Sequence, residues 1–322
     1  MQRRSFLLTL AALAAAHREA VAADPLFTQP LKIVVPASPG GFTDIASRLI
    51  GEKLALRIGQ PVPIENKPGA SGMIGAEAVA RAAPDGSSIV MGNIQSHGAN
   101  VGLFKKMPYD AIKDFAPVTR VAMGYNMLVV HPSSPVRTLA ELIEYAKKQA
   151  KPLSYGSGGS GSSSHLASEM LRQRAGIELL HVPYRATAPA VQALLAGQLA
   201  MLFDTVPSAI SQVRAGALRA IAVTAPVRLP ALPELPTVAE TLPGFEVAVW
   251  GGIYAPAGTS EKWIEALDRE IQAVLKDPTV AQRFEQLGFA PLALGPKDFA
   301  AFTRAEIAKW SEVIRIGKIT VD

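Results

Sequence analysis

The chain has 322 residues, 49% hydrophobic and 18% charged, which excludes disorder and gives enough apolar material for one large or two smaller cores. Its formal charge is +5, and without the first 22 residues 29 basic residues face 26 acidic ones; so small an excess, with no basic run interleaved with aromatics, argues against a nucleic-acid partner. Cysteine is absent, which excludes disulfides, thiolate metal sites and cysteine nucleophiles.

Arg3 and Arg4 form a basic start, followed by an apolar run over residues 6–16 that is too short to span a bilayer. Ala20, Val21 and Ala22 supply a small-x-small pattern for cleavage before Ala23, so residues 1–22 read as a signal peptide. The paired arginines fit a twin-arginine signal and an ordinary Sec signal alike. No later apolar run reaches spanning length, and the mature protein is expected to be soluble and periplasmic.

Residues 31–35 are a short β-branched run closed by Pro36, the pattern of a buried strand. A glycine-rich loop over 37–43 leads into Ala46, Ile50, Leu54 and Ile58, one face of a helix that Gly59 ends. Strands are expected at 60–65, 87–91, 153–155, 177–182, 199–203 and 218–223, with helical patterns between many of them. Thr138 and Glu141 form a capping box. Trp263, Leu267, Ile271 and Leu275 mark a late amphipathic helix. Phe299, Phe302, Trp310 and Val313 mark the last, with polar Glu306 interrupting the stripe. This alternation predicts parallel sheets with helices on both faces. Two apolar runs, 125–131 and 245–254, lack a helical period and fit crossings between two lobes. The expected division is 23–125 with 253–322 for one lobe and 126–252 for the other.

Open α/β sheets bind ligands beyond the carboxyl ends of their strands. Two strand-end loops share one design, a glycine-rich turn running into a helix start: residues 36–44 and residues 156–165. Glycine admits close backbone approach, and free N–H groups with the helix dipole favour an anion. Facing each other from two lobes, they would grip a carboxylate. Asp44 reads as a helix-start residue that ties down its loop. His165 reads as a hydrogen-bonding residue that orients the other loop. Asp204 ends a strand, where it either faces the ligand to recognise an amine or hydroxyl or merely caps the next segment. Trp250 reads as core or as a wall of the cleft, with core the better fit.

Several motifs fall short of chemistry. Residues 156–161 match G-x-G-x-x-G, but the next strand does not end in the acidic residue a dinucleotide site needs, and no cofactor is expected. There is no nucleophile elbow, no P-loop and no H-E-x-x-H, and the five histidines are scattered, so no metal site is expected. The competing enzymatic reading is an exported α/β hydrolase using a serine of the 157–164 run with His97, His131, His165 or His181 as base. A sensor subunit presenting the loaded receptor to a membrane kinase is a third reading.

The run from Lys32 through Pro36 to Gly40, Gly41, Phe42, Thr43 and Asp44 resembles the opening of the Bug family, the TctC-like solute receptors of tripartite tricarboxylate transporters. The resemblance continues through residues 65–70, 84–86, 108–110, 155–158, 181–184, 235–240 and 255–259, in order and over nearly the whole mature chain. It implies a two-lobed Venus-flytrap fold of the type II periplasmic-binding-protein kind, with the ligand in the cleft between lobes, no catalysis, and two membrane subunits as partners. It also implies ligand contacts at Gly40, Gly41, Phe42, Thr43 and Asp44 in the first loop. In the second they fall at Ser157, Gly158, Gly161, Ser162 and His165. Ala70, at the end of the 65–70 motif, joins them. Residues 37 and 38 depart from the family pattern, which leaves the glycines intact and alters the rim. The expected ligand is a small organic or amino acid, and the expected state a monomer.

Overall fold

The computed structural model describes residues 26–321. The signal peptide expected over 1–22 and its cleavage near Ala22 lie outside the described residues.

Strand β1 (Lys32–Val35) follows its pattern. Ile33 and Val35 pack on one side with the stripe Ala46, Ile50, Leu54 and Ile58 of helix α1 (Phe42–Ile58), and Val34 packs on the other. Successive residues of a strand point to opposite faces, so a sheet covered on both sides needs an unbroken apolar run. Beside β1 lie β2 (Ile64–Asn66) and β3 (Ser88–Asn93), both parallel to it. β2 is shorter than expected because Pro61 and Pro63 have no N–H to donate; their carbonyls still accept from Leu31 and Ile33. Helix α2 (Met73–Ala80) and the four-residue α3 (Asn100–Leu103) complete this part.

Strand β4 (Phe115–Val130) then runs about 50 Å through the molecule. Helix α4 (Leu139–Lys147), capped by Thr138, leads to β5 (Leu153–Ser157) and α5 (Ser163–Ala175). Next come β6 (Leu179–Pro183), α6 (Thr187–Leu195), β7 (Met201–Thr205), α7 (Val206–Arg214) and β8 (Arg219–Val223). β9 (Ala248–Pro256) returns to the start, followed by α8 (Glu261–Leu275), α9 (Pro278–Gln286) and α10 (Pro296–Gly317).

The sheet order among the described residues is β2-β1-β3-β9-β4-β7-β5-β6, with β8 also on β4. Up to Tyr125, β4 pairs with β9; from Asn126 it pairs with β7 and β8. The expectation of wholly parallel sheets is corrected here. β3–β9, β4–β9, β4–β7 and β4–β8 are antiparallel, while β1–β2, β1–β3, β5–β6 and β5–β7 are parallel. A strand that carries the chain out of one half and a strand that brings it back must run in opposite directions. Residues 248–252, expected beyond the crossing, already pair with β4 and, at 251 and 252, with β3.

At the crossing the two passages are stitched together. Asn126 N–H donates to Thr224 Oγ1 (3.0 Å) and Thr224 N–H to Asn126 O (2.9 Å). Thr224 Oγ1 donates to Val247 O (2.7 Å), whose N–H returns a bond to Thr224 O (3.1 Å). No helix among the described residues is long and apolar enough to cross a membrane.

Candidate functional site

The strand-end loops converge on a cavity of about 600 Å³. Residues 36–39 after β1 form one wall, continued by Gly41, Phe42 and Thr43 at the start of α1. Gly41 is the N-cap and no side chain caps this helix, so its first N–H groups are left for a ligand. Phe42 is fixed by stacking on Phe289, with ring centroids 4.0 Å apart. Asp44 turns away: it accepts from Gly40 N–H (2.9 Å) and pairs with Arg48 (2.9 Å). Burial raises its pKa, but these partners outweigh burial and hold the carboxyl below its ordinary range.

The floor comes from the loops after β2 and β3. Gly69, Ala70, Ser71 and Gly72 all take left-handed φ (119°, 46°, 53° and 84°). For Ala70 and Ser71 this costs about 1–2 kcal/mol each, strain of the kind that gathers at functional sites. The turn opens α2, whose N-cap Gly72 also lacks a side-chain cap. Past β3, Asn93 Oδ1 accepts from the N–H groups of Gln95 (2.9 Å) and Ser96 (3.1 Å). The chain then turns through a π-helical segment, Gln95–Ala99. Gln95 donates across the cavity to Ser160 O (3.2 Å), and Ser71 Oγ donates to the same carbonyl (3.4 Å).

Gly158, Gly159, Ser162 and Ser163 form the opposite wall. It is held from behind by stacked rings. Ser157 Oγ lies 2.6 Å from His181 Nε2 and accepts from Gly159 N–H (3.1 Å). His165 Nδ1 accepts from Gly161 N–H (3.0 Å), and the two imidazoles stack at 4.1 Å. Burial, then the neighbouring His181, pulls the His165 pKa down to about 3, and burial lowers His181 as well. Both rings are therefore neutral, which leaves the His165 Nδ1 lone pair free to accept.

The same wall continues through Tyr184, Arg185, Ala186 and Thr187. Ala186 is the uncapped N-cap of α6. A Cβ at Gly158 would lie 2.8 Å from Thr187 Oγ1 and 3.2 Å from Thr187 N, so only glycine lets this loop meet the α6 start. Val249 and Trp250 close the back, and the Trp250 indole donates to Glu306 (2.8 Å).

Three uncapped helix starts thus open on one cavity, at Gly41, Gly72 and Ala186. Each carries roughly half a positive charge; the starts at Gly41 and Ala186 have no side-chain cap on their N–H donors, while the first N–H of α2, from Met73, is already given to Ala70 O, and among the described residues no acidic side chain lines the cavity to oppose them. The chemistry is that of an anion site.

Of the residues singled out from sequence, Gly41, Phe42, Thr43, Ala70, Gly158 and Ser162 line the cavity. Asp44, Ser157, Gly161 and His165 are buried behind the lining and hold the loops that form it, while Gly40 is exposed outside the lining with its N–H bound to Asp44. Asp204 is buried at the end of β7, 2% exposed, and is not part of the lining. Sequence reasoning missed Gln95, Arg185 and the rim role of Tyr184; each follows a strand's carboxyl end, the one signal that pointed to them. Trp250 is both core and wall. The Ser157–His181 pair has the spacing of a nucleophile and base, but Ser157 is fully buried and lines nothing a substrate could reach. Among the described residues no group of three or more His, Asp or Glu could hold a metal ion.

Residues 46–318 match the family model described as the tripartite tricarboxylate transporter family receptor. The UPF0065 protein in the tcbD-tcbE intergenic region of Pseudomonas sp. (strain P51) is 39% identical over 317 residues, 97% of this chain and 94% of that one. Among solved structures, R. palustris Rpa4515 with adipate superposes with a TM-score of 0.85 at 35% identity, covering 91% of this chain and 99% of that one. The periplasmic binding protein BugD does so with a TM-score of 0.82 at 34% identity, covering 91% and 99%. The fold is thus that of the two-lobed periplasmic solute-binding proteins.

Proposed function

The chain belongs to the family of tripartite tricarboxylate transporter receptors, and from that premise we propose that it captures a small carboxylate in the periplasm and hands it to the membrane subunits of such a transporter. The observation that carries this reading is the convergence of three helix starts without side-chain caps on one cavity that no acidic side chain lines among the described residues. Adipate in Rpa4515 supports the ligand class. In this reading one lobe comprises 26–125 and 248–321, the other 126–247, and the stitched passages at Asn126, Thr224 and Val247 are the hinge. Gly41, Phe42, Thr43, Ala70, Gly158 and Ser162 touch the ligand. Asp44, His165 and Ser157 preorganise the loops. The protein acts as a monomer and without catalysis.

The test is a thermal-shift screen of the chain from residue 23, unfolded and refolded to strip bound solute, against small carboxylates and their amides. Ligand at about 100 times Kd stabilises by about 2.7 kcal/mol, a rise of a few degrees in a protein this size. An acid is expected to shift the midpoint and its amide is not. Gly41→Val should abolish the shift with the fold intact, because a Cβ there meets only Ser38 O at 3.9 Å while the side chain enters the cavity. An amide that works as well as its acid would sink the carboxylate reading.

A further inference from the structure

Helix α5 begins at the cavity and ends against the last helix. Its first residue, Ser163, lines the cavity and reaches the crossing between the halves, where its Oγ donates to Asn126 Oδ1 (3.4 Å). Arg172 stands about 14 Å further along the helix axis, at 1.5 Å per residue. There Arg172 Nη2 donates to Gly317 O (3.0 Å) and Gln173 Nε2 donates to Val313 O (2.9 Å), both near the end of α10. Gly317 O has no partner within its own helix, and the dipole favours a cation beside it. A Cβ at Gly317 would lie 2.3 Å from Gln173 Nε2, so glycine is what admits this approach.

The same end of α5 is tied back to the ligand wall. Arg172 Nε donates to Glu169 (2.9 Å), Glu169 accepts the Tyr155 hydroxyl (2.7 Å), and the Tyr155 ring stacks on His181 at 4.9 Å. His181 lies against Ser157 and His165, which accept from Gly159 and Gly161 in the wall itself. Glu169 is buried, and a buried carboxylate shared by a hydroxyl and a guanidinium fixes both partners.

In the division of lobes above, α5 belongs to one half and α10 to the other. The bonds of Arg172 and Gln173 therefore cross between the halves, as those of Gln95 and Ser71 to Ser160 O do at the cavity. They stand well out from the crossing at Asn126. A turn of one half against the other by about 20° across α5 would displace them by about 5 Å, more than a hydrogen bond tolerates.

We propose that Arg172 and Gln173 form a clasp on α10 that holds the halves closed over the ligand, with Arg172 a positioning residue for the second wall. This rests on the receptor reading above and adds to it the contact that sets the balance between open and closed forms.

Small-angle scattering on the refolded, ligand-free chain tests the clasp. Gln173→Ala removes one bond, and Gly317→Ala displaces the same side chain from the other half. Arg172→Lys keeps a charge beside Glu169 but lacks the planar fork that serves two partners. Each variant is expected to raise the radius of gyration a few per cent above that of the closed chain, roughly 19 Å for compact packing at this length. A variant that only loses stability would melt earlier and keep the parent's radius. Release of adipate as the probe, followed by tryptophan fluorescence in stopped flow, is expected to be about three- to ten-fold faster in the variants. A radius of gyration equal to the parent's in all three variants overturns the clasp, whatever the release rate. An enlarged radius with unchanged release overturns the positioning role of Arg172. Failure of the parent chain to bind adipate counts against the receptor reading, and scattering alone then decides the clasp.

Discussion

At Asp204 a carboxyl sits at the end of β7 with one oxygen accepting from Thr205 N–H (2.8 Å) and the other without a partner. Burial raises its pKa from 3.8 to about 6, against the pull of Ser208 and of the Thr205 N–H. The folded chain therefore holds this proton more tightly than the unfolded one. Its contribution to stability is present below pH 3.8 and is lost as pH rises through about 6. Above that the buried charge costs on the order of 3 kcal/mol. Asp204→Asn is accordingly expected to raise the melting midpoint at pH 7.5 and to change it little at pH 4; equal shifts at both would refute the assignment. Side-chain direction was the part of this scale the sequence left open. Asp44 and His165 stand in the right loops, but the first faces Arg48, one turn on along the same helix and half exposed, and the second faces His181 from another strand. The glycines were legible because a loop that must meet another backbone, as Gly158 meets Thr187, tolerates no side chain.

Helix α10 shows how an element's pattern can be right while its one exception stays unexplained until packing is known. Phe299 and Trp310 are buried along its inner face, as the stripe predicts. Glu306, which breaks that stripe, accepts from two indoles at once, Trp250 (2.8 Å) from β9 and Trp310 (3.0 Å) from its own next turn. It thereby fastens the last helix to a residue of the cavity wall. Glu306→Ala would leave two buried N–H donors unpaired and is expected to cost roughly 2–4 kcal/mol, read from chemical denaturation midpoints. A loss below about 1 kcal/mol would mean that water replaces the carboxylate. Among the strands, the runs at 31–35 and 87–91 were legible as buried parallel strands from their apolar continuity. The opposed direction of β4 and β9 was not, because direction is a property of the path between two halves and leaves no mark on local composition.

Across the whole molecule the ligand cavity exists only where two halves meet, and contacts that bridge it set how firmly it closes. Ser160 O receives Gln95 Nε2 (3.2 Å) and Ser71 Oγ (3.4 Å) from the opposite side. Gln95→Ala is expected to weaken affinity for the captured acid about two- to ten-fold, chiefly by faster release, as stopped-flow would show; an unchanged release rate would remove this contact from closure. The sequence by itself determined the strand–helix alternation, the two glycine-rich loops and the anion chemistry of their helix starts, because periodicity, backbone freedom and the helix dipole are local properties. Only the tertiary structure decided that β4 serves both halves, that Asp44 and His165 support the wall instead of lining it, and that Arg185 lines the cavity. Each of those depends on which surfaces the crossing at Asn126 and Thr224 brings face to face, and no stretch of sequence encodes that alone.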